Sequence, residues 1–291
     1  MKGWDVTLKV WINGELVDEA KATVPLFDRS YLYGEGLFET LRCYKGKPAF
    51  LDRHFQRLKE NAKIVDLPLP LDQKKISEAI ALLVETNQLS ECAIRLTLST
   101  VGASFSVGRP KNMPTTITIY GSPLKPDYSL FETGAVIYPH PTMLNDCLTL
   151  TQVKSTSYLT KMLCRKIAGE EGAVDTILKN GQGYWTEGSR ANLFIVLNGE
   201  VLTPPKSDGL LGGVTREVVL DILKEKKMPY RETHLTDEML KKAEEVFITG
   251  STSEVMPVRE LKGMCVKKVS KDSITAKLLP IYRQAVATSL A

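Results

Sequence analysis

Lys154 lies in the run Leu150-Thr151-Gln152-Val153-Lys154-Ser155-Thr156-Ser157-Tyr158-Leu159, between an apolar segment (135–138, then Leu148 and Leu150) and the start of an expected helix. The pattern places this lysine in a turn, where a desolvated amine is a nucleophile toward a carbonyl carbon. Two loops of small polar residues, Gly213-Val214-Thr215 and Gly250-Ser251-Thr252-Ser253, border further elements. Their backbone N–H groups and hydroxyls suit a phosphate, helped by a helix dipole. The same residue types also serve as plain helix caps. A loop lysine together with a phosphate cup suggests pyridoxal 5′-phosphate held as a Schiff base on Lys154. That cofactor needs a partner for its ring nitrogen, which Glu187 offers; a lone glutamate in a turn also reads as a solvated charge.

The elements that must position these residues follow from periodicity. Residues 6–11 alternate like a strand, Asn13-Gly14 is a type I′ turn signal, and 15–20 return as the partner strand. Apolar residues at Leu51, Phe55, Leu58, Ala62 and Val65 predict an amphipathic helix, with Asp52, His54, Arg57 and Lys59 mainly on its other faces. A second helix is expected over 76–86, and strands over 93–99 and 115–120. The first domain, 1–120, is therefore read as α+β with a mostly antiparallel sheet. Residues 121–133, with Pro123 and Pro126 and few apolar side chains, are the expected linker. The second domain, 134–291, is expected to hold strands over 135–138, 176–178, 193–197, 200–203 and 245–249. Its helices are expected over 157–170, 218–224 and about 273–287.

Bulk properties exclude several classes. A chain of 291 residues exceeds the usual single core, so two domains are expected. The net charge of +4 is small, and its basic pairs, Lys226-Lys227, Lys241-Lys242 and Lys267-Lys268, are short, which argues against nucleic acid as a partner. The first residues lack the apolar core of a signal peptide, and no apolar run approaches the roughly 20 residues that span a bilayer. We therefore expect a cytoplasmic protein that does not bind membranes. The five cysteines (Cys43, Cys92, Cys147, Cys164 and Cys265) include no CxxC pair and read as reduced, mostly structural thiols. His54, His140 and His234 are too scattered to suggest a metal site. Gly34-Glu35-Gly36 lacks the third glycine of a dinucleotide fingerprint.

Six segments, taken in order, resemble the fold type IV (class IV) pyridoxal-phosphate aminotransferases, a family that includes branched-chain aminotransferase, D-amino acid aminotransferase and aminodeoxychorismate lyase. They are Phe27 to Thr40, His54-Phe55-Gln56-Arg57-Leu58, Lys154-Ser155-Thr156-Ser157-Tyr158-Leu159, Thr186 to Phe194, Gly213-Val214-Thr215-Arg216, and Thr249-Gly250-Ser251-Thr252-Ser253-Glu254-Val255. The resemblance implies two α/β domains with the active site between them, and a homodimer whose neighbouring subunit adds a loop. It implies that Lys154 forms the Schiff base and shuttles the substrate proton, while Glu187 pairs with the ring nitrogen. It further implies that Arg57 grips the phosphate with Val214, Thr215 and Ser251, and that Tyr158 donates to the ring hydroxyl.

The resemblance leaves the substrate open among three readings. An amino acid:2-oxo acid aminotransferase of branched-chain type is favoured by Arg95 in Ala93-Ile94-Arg95, and by the Gly250 to Glu254 turn, where backbone N–H groups near Thr252 would hold a substrate carboxylate. Release of pyruvate from 4-amino-4-deoxychorismate is the alternative, suggested by Phe38-Glu39-Thr40-Leu41-Arg42 and Lys154-Ser155. A D-amino acid aminotransferase is the third; its Arg-x-His carboxylate trap is missing here or replaced by Arg109. Tyr31, Tyr33 and Phe38 are candidates for an aromatic pocket, with plain core packing the preferred reading for Phe38.

Overall fold

The computed structural model describes residues 8–102, 105–108, 113–143, 148–267 and 269–291. They form two compact units, one reaching to Lys125 and including Val153–Tyr158, the other built from Pro126–Gln152 and Leu159–Ser289. The Lys154 segment, expected with the second half of the chain, thus packs with the first. The units part inside the expected linker, which itself carries structure. Strand Thr115–Pro123 runs into it because pairing continues to Cys92↔Pro123, and a short helix, Leu130–Thr133, follows.

The first unit is a six-stranded sheet in the order Glu15–Asp18, Lys9–Ile12, Thr115–Pro123, Cys92–Thr100, Leu37–Tyr44, Lys47–Pro48, antiparallel at every pairing. The opening hairpin turns at Asn13 (φ 49°) and Gly14 (φ 109°), the left-handed backbone that this dipeptide favours; residues 6 and 7 lie outside the described part. Helices Leu51–Ile64 and Gln73–Thr86 supply the rest of the core. In the second, Ile76, Ile80, Leu83 and Val84 form the expected buried stripe, and the Asp72 carboxylate caps the Lys75 N–H at 2.9 Å. Burying each such side chain contributes about 1.5–3 kcal/mol. The first helix departs from its expected pattern at His54, which is 2 % exposed because a buried carboxylate awaits it.

In the second unit six strands close on themselves. Trp185–Gly188, Asp175–Lys179, Ala135–Met143, Glu254–Leu261, Glu245–Gly250 and Asn192–Leu197 pair in turn, and Asn192↔Glu187 completes the ring. Strands Ala135–Met143 and Asp175–Lys179 are parallel, so a crossover must join them; helix Leu159–Glu170 lies on that connection. Ala135, Ile137, Ile177, Leu193, Ile195, Val258 and Leu261 are among the residues of its core. Helix Val214–Glu225 begins four residues before the expected 218, with Gly213 as its N-cap, and helix Ile274–Ser289 closes the chain. Thr275 and Ile274 donate their N–H groups to the Glu245 carboxylate, which fixes that last helix's start.

Candidate active site

Backbone pairing sets the position of Lys154. Phe38 N–H donates to the Lys154 carbonyl at 2.9 Å, Thr156 N–H donates to the Gly36 carbonyl at 2.8 Å, and Ser155 bridges Leu37. The segment lies against the start of strand Leu37–Tyr44, and two glycines permit that approach. A Cβ on Gly36 would stand 2.6 Å from Ser30 Cβ and 2.9 Å from Thr156 Oγ1, while one on Gly34, at φ +67°, would collide with Ser157 Oγ. The Gly34-Glu35-Gly36 motif is thus a docking step for the lysine segment.

Three of the candidates meet around one ring. Lys154 Nζ lies 4.5 Å from the centre of Phe38, the Arg95 guanidinium lies 3.4 Å from it, and Tyr158 packs edge-on at 5.5 Å. The electron-rich ring face favours both cations. Phe38 is 4 % exposed and counts among the buried hydrophobic residues, in keeping with the core-packing reading, while its ring also makes these contacts. Burial draws the Arg95 pKa down, against the nearby charges of Tyr120, Tyr158 and Glu39, and Arg95 Nε is buried without a hydrogen-bond partner.

Arg57 is held by a residue that sequence reasoning did not single out. Glu39 Oε1 accepts from Arg57 Nε at 2.8 Å, and Glu39 Oε2 accepts from Arg57 Nη2 at 2.5 Å and from His54 Nδ1 at 2.7 Å. Burial alone would raise the Glu39 carboxyl, but the charge and hydrogen bonds of Arg57, with the His54 bond, overcome it and hold the pKa at about 2. Burial keeps His54 below its usual value, opposed by Glu39 and aided by the charges of Arg57 and Lys154. His54 is therefore a neutral donor to Glu39 Oε2, the same oxygen that Arg57 Nη2 bonds. The available signal was a carboxylate in an apolar strand, facing an i, i+3 His–Arg pair on a helix.

The aromatic candidates on the short helix Arg29–Tyr33 differ from that cluster. Tyr31 is 68 % exposed, and Tyr33 donates its hydroxyl to the Phe105 carbonyl while Arg29 stacks on its ring at 4.9 Å. Arg109, the candidate substitute for the carboxylate trap, lies outside the described residues.

In the second unit Asn192 draws the remaining candidates together. Its backbone pairs with Glu187 on one side and with Thr249 on the other, and its side chain donates to the Leu211 carbonyl at 2.8 Å. Gly213 sits so tightly on Asn192 Oδ1 that a Cβ there would collide. Strand pairing thereby brings three features to one end of the ring: the buried Glu187 carboxylate, the Gly250-Ser251-Thr252-Ser253 turn and the start of helix Val214–Glu225. That helix has no side-chain cap, Val214 and Thr215 are its first residues, and its first-turn N–H groups have no partner within the helix. Thr249 Oγ1, next to the turn, is buried without a partner. Glu187 Oε1 accepts from Lys161 Nζ at 2.7 Å and Oε2 from Leu211 N–H at 3.2 Å. Among the described residues, no group of three or more His, Cys, Asp or Glu could hold a metal ion.

Known proteins share both the sequence and the fold. The family profile of amino-transferase class IV matches residues 36–261. A protein of Methanocaldococcus jannaschii assigned as a branched-chain-amino-acid aminotransferase is 32 % identical over 93 % of this chain and 94 % of its own. The D-alanine aminotransferase of Staphylococcus epidermidis is 30 % identical over 93 % and 95 %. The crystal structure of the branched-chain aminotransferase of Thermoproteus uzoniensis with norvaline superimposes with a TM-score of 0.90 at 30 % identity, covering 98 % of this chain and 96 % of that one. With the profile spanning most of the chain and the fold shared along nearly its whole length, the protein belongs to the class IV aminotransferase family, with its α+β, type IV fold.

Proposed function

We propose that this aminotransferase uses pyridoxal 5′-phosphate to move an amino group between a branched-chain-type L-amino acid and a 2-oxo acid. The observation that carries the reading is the placement of Lys154 Nζ over the buried Phe38 ring, with the Arg95 guanidinium on the same ring. It sets an amine and a guanidinium whose buried Nε has no hydrogen-bond partner around one ring, as an α-amino acid requires.

The donor set fits the cofactor. An uncapped twelve-residue helix start suits a phosphate, the partnerless Thr249 Oγ1 leaves a polar atom to satisfy beside the turn, and a buried carboxylate suits a protonated ring nitrogen. When bound, the cofactor supplies an aldehyde carbon for the amino group and an electron-poor ring that takes up the electron pair left at the substrate α-carbon. Lys154 binds through Nζ and carries the α-proton on that nitrogen. The Arg57 guanidinium, oriented by Glu39, binds the phosphate, as do the N–H groups of Val214 and Thr215 and the Ser251 hydroxyl. Tyr158 donates to the ring hydroxyl, and Glu187 holds the ring nitrogen's proton. Arg95 and the Thr252 turn bind substrate carboxylates, and Tyr31 and Tyr33 complete the pocket wall.

The reading extends to a cytoplasmic homodimer. Helix Leu159–Glu170 turns Leu159, Met162, Leu163 and Ile167 to solvent at 71, 54, 52 and 39 % exposure, an apolar stripe of the kind subunit contacts cover. Among the described residues, no helix is long and apolar enough to cross a membrane.

Half-reaction spectroscopy on the purified yellow protein tests the function. L-leucine and L-glutamate should each bleach the visible band in a single turnover, whereas D-alanine should not. Bleaching by D-alanine alone would reverse the assigned chirality. Pyruvate release from aminodeoxychorismate with the band restored would replace transamination by lyase chemistry.

A further inference from the structure

We infer that Lys161 competes with the cofactor's ring nitrogen for Glu187 and so sets how tightly this chain holds pyridoxal 5′-phosphate. The inference rests on the assignment of Glu187 to the ring nitrogen. Glu187 is 3 % exposed, yet both its oxygens are engaged within the protein, Oε1 by the Lys161 ammonium at 2.7 Å and Oε2 by Leu211 N–H at 3.2 Å. The Leu211 bond comes from backbone, in a loop tied down by Asn192, and cannot move away alone. Lys161 is different. It is the third residue of helix Leu159–Glu170, where the helix dipole disfavours a cation, so the pull of Glu187 holds its head in place. Its side chain is 20 % exposed, which leaves it a path to solvent.

A protonated ring nitrogen arriving at Glu187 therefore meets an occupied acceptor. Either it shares the carboxylate with an adjacent like charge, which weakens its hold on its own proton, or it drives Lys161 outward and breaks the ion pair. Both routes weaken binding, and both act through the ring nitrogen alone. The phosphate end of the cofactor feels neither.

The test compares uptake of two ligands by the full chain stripped of cofactor. One is pyridoxal 5′-phosphate; the other is its carbocyclic analogue, in which C–H replaces the ring nitrogen. Lys161→Met should tighten binding of the first by roughly 5-fold, the scale of a partly exposed ion pair, and leave the second unchanged. Lys161→Arg, which keeps the charge, should bind both as the native chain does. Equal uptake of pyridoxal 5′-phosphate by native and Lys161→Met proteins would overturn the inference while leaving the proposed function standing. Weaker uptake of both ligands by Lys161→Met would assign Lys161 a structural role and overturn it too. If neither protein takes up pyridoxal 5′-phosphate, the functional reading fails and this inference with it.

Discussion

Glu39→Gln should uncouple Arg57 from the framework that aims it. The native carboxylate is fully buried and takes two bonds from the Arg57 fork and one from His54. An amide of the same shape has one acceptor oxygen, and its NH₂ group would face a donor. Arg57 or His54 must then lose a bond in a site with little water to replace it. The Glu39 carboxyl sits at about 2 against an ordinary 4.5, a difference that amounts to about 3 kcal/mol of folded-state preference for the ionised form. Loss of one partner from a buried ion pair falls in the same range, about 3–5 kcal/mol. The sign follows from the depressed pKa: the contribution is complete above about pH 4.5 and is lost as pH falls through about 2. Urea unfolding of the native and Glu39→Gln chains, followed through the buried Trp11 of the first unit, measures it. The native protein should be more stable by about 3 kcal/mol at neutral pH, and the gap should close within that acid window. Equal stability at neutral pH, or a gap indifferent to pH there, would refute the argument. The variant should also need more pyridoxal 5′-phosphate for half saturation.

Three further outcomes follow from single contacts. Lys154→Ala should abolish transamination while leaving part of the phosphate-dependent cofactor binding, measured as uptake of pyridoxal 5′-phosphate beside turnover; residual turnover at the native rate would sink the central assignment. Asn192→Ala removes the 2.8 Å bond to the Leu211 carbonyl and should cost about 1–2 kcal/mol, with weaker cofactor uptake because the Gly213 loop is released; unfolding and uptake curves read both. Leu163→Glu places a charge on the exposed apolar stripe and should shift the sedimentation profile from dimer to monomer, whereas an unchanged dimer would place the contact on another face.

Local signals were legible where a short stretch of chain decides its own geometry. The Asn13-Gly14 hairpin, the 76–86 helix stripe and most strands follow from turn chemistry and periodicity, and the structure extends them by a few residues. The strand expected over 115–120 grew to Pro123 because its partner strand offered backbone groups that no local pattern reveals. His54 was expected on an outer helix face and is buried, since its fate depends on a carboxylate fifteen residues away on another element.

By itself the sequence determined the reactive residue types, their order, and hence the family. Lys154, Glu187 and the Gly213 and Gly250 loops carry functional groups whose chemistry is a property of the side chain or backbone itself. The tertiary structure decided which groups share a charge: Glu39 with Arg57 and His54, Lys161 with Glu187, and Phe38 under both Lys154 and Arg95. Those pairings are set by strand register and by close approach at Gly36 and Gly213, distances of a few ångströms between residues far apart in the chain. Electrostatic strength depends on that separation and on burial, and neither is encoded in any single stretch of residues.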